Sequence, residues 1–179
     1  MKKIMTMLAA LCCMTALNAT TYTGHLTVNV DGQAAEQDQV AVEVTQDADG
    51  LYTLTLNNFV LTMDDVSLAV GNIVVEDVAG VDEYGYTTIT YDGPVTITAG
   101  DDPNYDSDDW LGPMLGDVDI AMTSRFTDTA LNATIDISLM GQTIKVNLFG
   151  IVPVIKGDVS EDGEVSISDV NAVVDIIVQ

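Results

Sequence analysis

The chain has 179 residues, 47% of them hydrophobic, with 28 acidic against 5 basic side chains and a net charge of −23. A field of that sign repels phosphate backbones and anionic lipid headgroups, which excludes nucleic acid as a partner and favours divalent cations. The length suffices for one ordinary domain with its own core, and solubility accounts for most of the acidic residues, so only the patterned ones need a chemical explanation.

At the amino terminus Lys2 and Lys3 precede an apolar run from Ile4 to Leu17, and small residues follow at Asn18-Ala19-Thr20. A charged start, a run too short to span a bilayer comfortably and a small-residue end predict a secretory signal peptide over residues 1–19, cleaved after Ala19, with no transmembrane segment in the mature chain. Both cysteines, Cys12 and Cys13, lie in this leader. Lipidation at one of them is the rival reading, but Leu11 and Cys12 stand where such sites usually carry a small residue. The domain is thus expected to be exported, to the periplasm, the cell surface or the medium, and to be stabilised by its core rather than by disulfides.

From Leu26 the pattern is alternation, which is the signature of half-buried strands. Leu26, Val28 and Val30 form the first strand and Val40, Val42 and Val44 the second. The turn Asp47-Ala48-Asp49-Gly50 follows, and Tyr52, Leu54 and Leu56 make the return strand of a hairpin. Further strands are expected at Val66 to Val70, Asn72 to Val78, Tyr86 to Tyr91 and Val95 to Ala99, the last two joined by a turn at Asp92-Gly93-Pro94. Then come Val118 to Phe126, Leu131 to Leu139 and Thr143 to Phe149, with Gly141-Gln142 turning between the last two. Eight to ten short strands in sequential hairpins predict an all-β, antiparallel up-and-down barrel, because closure removes exposed edges; helix is expected only in the tail.

Between the strands, Asp102, Asn104, Asp106 and Asp108 alternate oxygens in an acidic loop. It lacks the midway glycine and the closing carboxylate of a calcium loop, so the expectation is a solvated connection. Tyr105 and Trp110 in the same loop could stack on a sugar or cover a barrel mouth, although loop aromatics usually pack locally. Enzyme chemistry is poorly supplied: His25 is the single histidine, the mature chain has no cysteine, and no nucleophile motif is present. His25 sits among polar strand positions and reads as a surface residue, since zinc needs several nitrogen or sulfur ligands together.

The tail carries the most specific pattern. Asp158, Ser160 and Asp162 occupy the first, third and fifth places of an EF-hand-type loop, Gly163 permits its bend, the carbonyl of Glu164 fills the seventh place, Ser166 can act directly or through water, and Asp169 closes the loop. An all-oxygen set on alternate residues of a flexible loop suits Ca²⁺ better than the smaller, octahedral Mg²⁺. Val170, Val173, Val174 and Ile177 then recur at the spacing of one helical face, which needs cover from the barrel, a second repeat or a protein partner.

Two resemblances follow from these residues. Asp158-Val159-Ser160-Glu161-Asp162-Gly163, with a helix from Ser168 to Val178, resembles half of a type I dockerin, in which Asn or Asp usually stands where Ser160 does and two repeats pack together. That resemblance implies calcium binding and a docking role. The stretch from His25 to Gly150 resembles the calycin-like, lipocalin-like barrels of exported bacterial proteins, most clearly in its closing run, Ala130-Leu131-Asn132-Ala133-Thr134-Ile135-Asp136-Ile137-Ser138-Leu139-Met140-Gly141-Gln142-Thr143-Ile144-Lys145-Val146-Asn147-Leu148-Phe149-Gly150. A barrel of about eight strands is either filled by side chains or holds one small apolar ligand. The expected organisation is a signal peptide over 1–19, a calycin-like β-barrel over 20–150, a linker over 151–156 and a dockerin-like calcium-binding half repeat over 157–179. The expected function is a non-enzymatic binding or assembly module with a calcium-ordered docking tail; the alternatives are a carrier of a lipid or other small apolar ligand and, more weakly, a carbohydrate-active enzyme.

Overall fold

The computed structural model describes residues 18–63, 66–139 and 141–153. Most of the leader, all the tail ligands (Asp158, Ser160, Asp162, Glu164, Ser166, Asp169) and the apolar stripe Val170, Val173, Val174 and Ile177 lie outside the described residues.

Eight strands close into one antiparallel barrel in chain order. They are β1 (Asn18–Val30), β2 (Gln33–Gln46), β3 (Leu51–Met63), β4 (Val66–Glu83), β5 (Tyr86–Thr96), β6 (Asp117–Phe126), β7 (Ala130–Leu139) and β8 (Gln142–Ile151), with β8 returning to pair with β1 from Thr23↔Ile151 to Val30↔Ile144. The all-β barrel expected from alternation is therefore present. Short turns join consecutive strands except β5 and β6, which a long connection links. At Asp31-Gly32 and Tyr84-Gly85 both residues have positive φ, as a primed turn between right-twisted strands requires. At the expected Asp47 turn the Asp47 carboxylate accepts the N–H groups of Asp49 and Leu51 at 2.9 and 2.8 Å.

Three expectations need correction. Asp92-Gly93-Pro94 is no turn: these residues run inside β5 and face Ala121, Ile120 and Asp119 of β6. Proline is tolerated there because β5 pairs with β4 only between Tyr86 and Ile89, so at Pro94 the other side of β5 is an edge on which no N–H is needed. The two expected strands Val66 to Val70 and Asn72 to Val78 are one, bent at Gly71, whose φ of 123° and close approach to the Thr98 carbonyl leave no room for a side chain. Helix is not confined to the tail either, since one turn, α1 (Gly112–Leu115), starts on Pro113 within the β5–β6 connection.

Strand ends also depart slightly from the expected boundaries. Asn18 and Ala19 pair with Gln46 and Thr45, so the predicted cleavage point falls within β1, and β8 extends through Ile151, after which the Val152 N–H bonds to the Thr129 carbonyl at 2.9 Å.

Alternation places apolar side chains inside. Leu26, Val42, Leu54, Ile89, Leu131 and Ala133 are all no more than 4% exposed and belong to one continuous core. Each large side chain so buried contributes about 1.5–3 kcal/mol. The outer face alternates in polar residues, for example Asp117, Asp119, Thr123 and Arg125 on β6 and Asn132, Thr134, Asp136 and Ser138 on β7, all exposed. That is the reverse of a lipid-facing barrel wall. No helix among the described residues is long and apolar enough to cross a membrane.

Candidate ligand-binding mouth

The up-and-down order gives the barrel two unlike ends. The chain enters and leaves at the basal end, which also carries the turns after β2, β4 and β6; the loop end carries the turns after β1, β3 and β7 and the long β5–β6 connection.

Register across β1, β8 and β7 sorts the inward side chains into rows that climb toward the loop end. Leu26, Leu148 and Ala133 face one another and are 2%, 4% and 1% exposed. One row higher, Val28 is still buried, but Val146 and Ile135 are partly exposed. In the next row Val30, Ile144 and Ile137 are all partly exposed, as is Leu139 above them. The inward side chains are thus sealed in the middle of the barrel and become partly exposed toward the loop end, which forms a candidate mouth with aliphatic walls. On the β2 side its inward residues are Ala35 and Gln37, also partly exposed, and on β3 Leu56, Phe59 and Leu61 pack partly buried against the core.

The β5–β6 connection closes the far side of this end. Trp110 is 2% exposed and lies with its ring centroid 5.3 Å from that of Tyr105. Leu111 donates its N–H to the Ala69 carbonyl at 2.8 Å, and Asn72 exchanges backbone hydrogen bonds with Thr98 at 2.9 and 3.1 Å. Asn58 and Asp101 are doubly joined, the Asn58 amide donating to the Asp101 carboxylate at 2.8 Å and the Asp101 N–H to the Asn58 side-chain oxygen at 2.7 Å. Burial of Trp110 against Tyr105 argues against sugar stacking and agrees with the local packing usual for loop aromatics.

The alternating oxygens of this connection do not converge. The Asp102 carboxylate accepts the backbone and side-chain N–H groups of Asn104 at 2.9 and 2.8 Å, and Asp109 accepts the N–H of Asp106 at 2.9 Å. Their carboxylates stabilise turns, and among the described residues no three His, Cys, Asp or Glu side chains are grouped to hold a metal. His25 lies on the outer wall, its Nδ1 2.8 Å from the Asp38 carboxylate, with 44% and 82% of the two side chains exposed. It is the surface residue expected.

At the basal end a cavity of about 550 Å³ has an aromatic floor and a polar rim, formed by Tyr22, Tyr52 and Phe126 below Gln46, Thr87 and Asp128 among others. Tyr52 and Phe126 meet edge to face at 5.2 Å, and the Tyr22 hydroxyl donates to the Thr127 carbonyl at 2.6 Å. Burial, and then the charge of Asp128, hold the Tyr22 phenol above its ordinary value of 10.0, against a smaller opposing hydrogen bond with Thr20. One buried polar atom in the packed part of the lumen, the Ser124 Oγ, has no hydrogen-bond partner; Ser124 lies between Ile89 and Ala133.

Sequence reasoning placed Val30, Ile135, Ile137, Ile144 and Val146 on strands without distinguishing them from the packed residues below. The usable signal was their nearness to the turns at Asp31-Gly32 and Gly141, since the ends of inward-facing strands form the rims.

The description calycin-like beta-barrel domain matches residues 19–150 of this chain. Among solved structures, the chain is similar to a Bacteroides fragilis protein provisionally described as an outer membrane protein, at 18% identity and a TM-score of 0.52. The likeness covers 74% of this chain and 50% of that one, and at this identity it shows a common fold. No curated protein matches the chain.

Proposed function

Because the chain belongs to the calycin-like β-barrel domain family, we propose that it is an exported, non-enzymatic binding module that carries a small apolar molecule in the mouth at the loop end. The observation that carries this reading is the gradient of exposure along one inward face: Leu26, Leu148 and Ala133 are sealed, whereas Val30, Ile144 and Ile137 two rows above face inward and remain partly exposed. Wetted aliphatic walls are unfavourable, and an apolar ligand that displaces the water recovers that free energy. The ladder positions lining the mouth carry no charged side chain, and a net charge of −23 disfavours an anionic ligand, so a neutral molecule fits best.

A non-enzymatic role is supported by the placement of the reactive groups. His25 is on the outer wall with Asp38, and the carboxylates of Asp102 and Asp109 are engaged in their own turns. Export rests on the leader sequence and agrees with the description of the Bacteroides fragilis neighbour. The test is organic extraction of protein purified from its native host, followed by mass spectrometry, alongside titration with the neutral fluorophore N-phenyl-1-naphthylamine. A recurrent neutral lipid-like species and saturable fluorescence enhancement are expected. Absence of both refutes the reading.

The sequence of the tail favours assembly as a complementary role. Ca²⁺ held by Asp158, Asp162 and Asp169 would order the loop and present Val170, Val173, Val174 and Ile177 to a partner. The chain leaves β8 at the basal end, the end opposite the mouth. Calorimetric titration of the full chain with Ca²⁺ should give saturable heat that is lost in Asp162→Ala; no heat in the parent protein counts against it.

A further inference from the structure

The barrel wall is unevenly joined. β1 pairs with β2, and β7 with β8, over nearly their whole lengths. β2 and β3 pair only from Glu43↔Thr55 to Gln46↔Tyr52, and β4 and β5 only from Gly80↔Ile89 to Glu83↔Tyr86. Toward the loop end the β3–β4 hairpin therefore continues on its own ladder, from Leu54↔Val75 to Met63↔Val66, standing off both neighbours. On the β4 side the β5–β6 connection repairs the wall through Asn72 with Thr98 and Leu111 with Ala69.

The β2 side has no such repair. Among the described residues, the hydrogen bond that crosses it runs from the Thr62 N–H to the Gln37 side-chain oxygen, at 3.3 Å. Paired strands bond backbone to backbone; here a side chain spans the interval. The local backbone is irregular on both edges of the slot. Gln39 on β2 and Asn58 on β3 have φ values of 62° and 52°, and the ladders beside them shift register at Gly24/Leu26 and Leu56/Phe59. Left-handed conformations at non-glycine residues persist only where the surrounding structure enforces them. The slot leads inward past Ala35 and Gln37 to Leu56, Phe59 and Leu61, all of them partly buried.

We propose that the apolar ligand reaches the mouth sideways, through the slot between the upper halves of β2 and β3, with Gln37 and Thr62 as its latch. This rests on the binding reading given above. Opening the slot breaks one long hydrogen bond, whereas parting any fully paired seam breaks a ladder, and the backbone groups on the slot's edges can be satisfied by water when it opens.

The test uses the full chain with Cys12→Ser and Cys13→Ser, so that Gln37→Cys and Thr62→Cys supply the thiols, bridged by a short bis-methanethiosulfonate reagent that dithiothreitol removes. Stopped-flow mixing with N-phenyl-1-naphthylamine reads uptake, and dilution reads release. Bridging should slow both by roughly tenfold or more while Kd stays within about twofold, because blocking a route changes rates in both directions equally. Reductant should restore both, and Gln37→Ala should quicken them. Rates unaffected by the bridge in a protein that binds the probe overturn the lateral entrance and leave the mouth standing. Failure of the unbridged protein to bind the probe overturns both.

Discussion

Replacing Ile144 by tryptophan separates an open mouth from a packed core at one position. Ile144 faces inward between Val30 and Ile137 and is partly exposed, so on the mouth reading an added ring extends over open surface rather than into sealed packing. If it covers about 50 Å² more apolar surface, the gain is about 1 kcal/mol, and the cost of ordering the larger side chain is of similar size. The expected net change in stability is therefore within about 1 kcal/mol of zero. Ala133→Leu is the matched control two rows below, where Ala133 is 1% exposed among Leu148, Leu131 and other sealed side chains. Overpacking there should cost about 1–3 kcal/mol or more. Urea unfolding followed by circular dichroism measures both, because the introduced tryptophan would confound fluorescence. Ile144→Trp should also weaken N-phenyl-1-naphthylamine binding by roughly tenfold through steric occupation of the mouth. The reasoning is refuted if Ile144→Trp destabilises as much as Ala133→Leu, or if it leaves probe affinity unchanged.

The remaining predictions concern the packed lumen and the basal end. Ser124→Ala removes a buried hydroxyl that has no partner, so it should raise stability by about 1 kcal/mol; a loss of that size in urea unfolding would mean that the hydroxyl is satisfied. Tyr22 has its pKa raised above 10.0 in the folded state, so its contribution is complete below that value and is lost as pH rises through the folded pKa, where the unfolded chain ionises first. The urea midpoint should accordingly fall as pH rises past 10.0, and Tyr22→Phe should make that fall shallower while lowering stability at neutral pH by about 1 kcal/mol, through loss of the bond to Thr127. An equally steep alkaline fall in Tyr22→Phe would assign the slope to other groups.

The fold was legible because alternation is local. Leu26, Val28 and Val30, or Val118 through Phe126, declare an inward face without reference to any partner strand, and sequential hairpins make closure the simplest way to hide the edges. Asp92-Gly93-Pro94 misled because turn chemistry is read from residue type, whereas a proline on an unpaired strand edge carries the same letters. The merging of two expected strands at Gly71 depended on the approach of Thr98, which lies far along the chain. The acidic connection shows a related limit. Asp102, Asn104, Asp106 and Asp108 have ligand-like spacing, but the Asp102 carboxylate accepts the N–H groups of Asn104 and Asp106 gives its own N–H to Asp109, the common competing use of Asp and Asn in loops. The mouth was hidden for a different reason. Ile137 and Leu131 look alike in sequence, and only the height of each row in the closed barrel separates a wetted wall from a sealed one.

The most direct measurement is a methyl-resolved NMR titration of the isoleucine-labelled full chain with N-phenyl-1-naphthylamine. The methyl groups of Ile135, Ile137 and Ile144 should shift together and saturate, while Ile89, which is 0% exposed in the packed lumen, and Ile151, 50% exposed on the outer wall, should stay in place. Saturable shifts confined to Ile151, or no shift at the three mouth residues while the probe binds, would contradict a ligand-carrying mouth at the loop end.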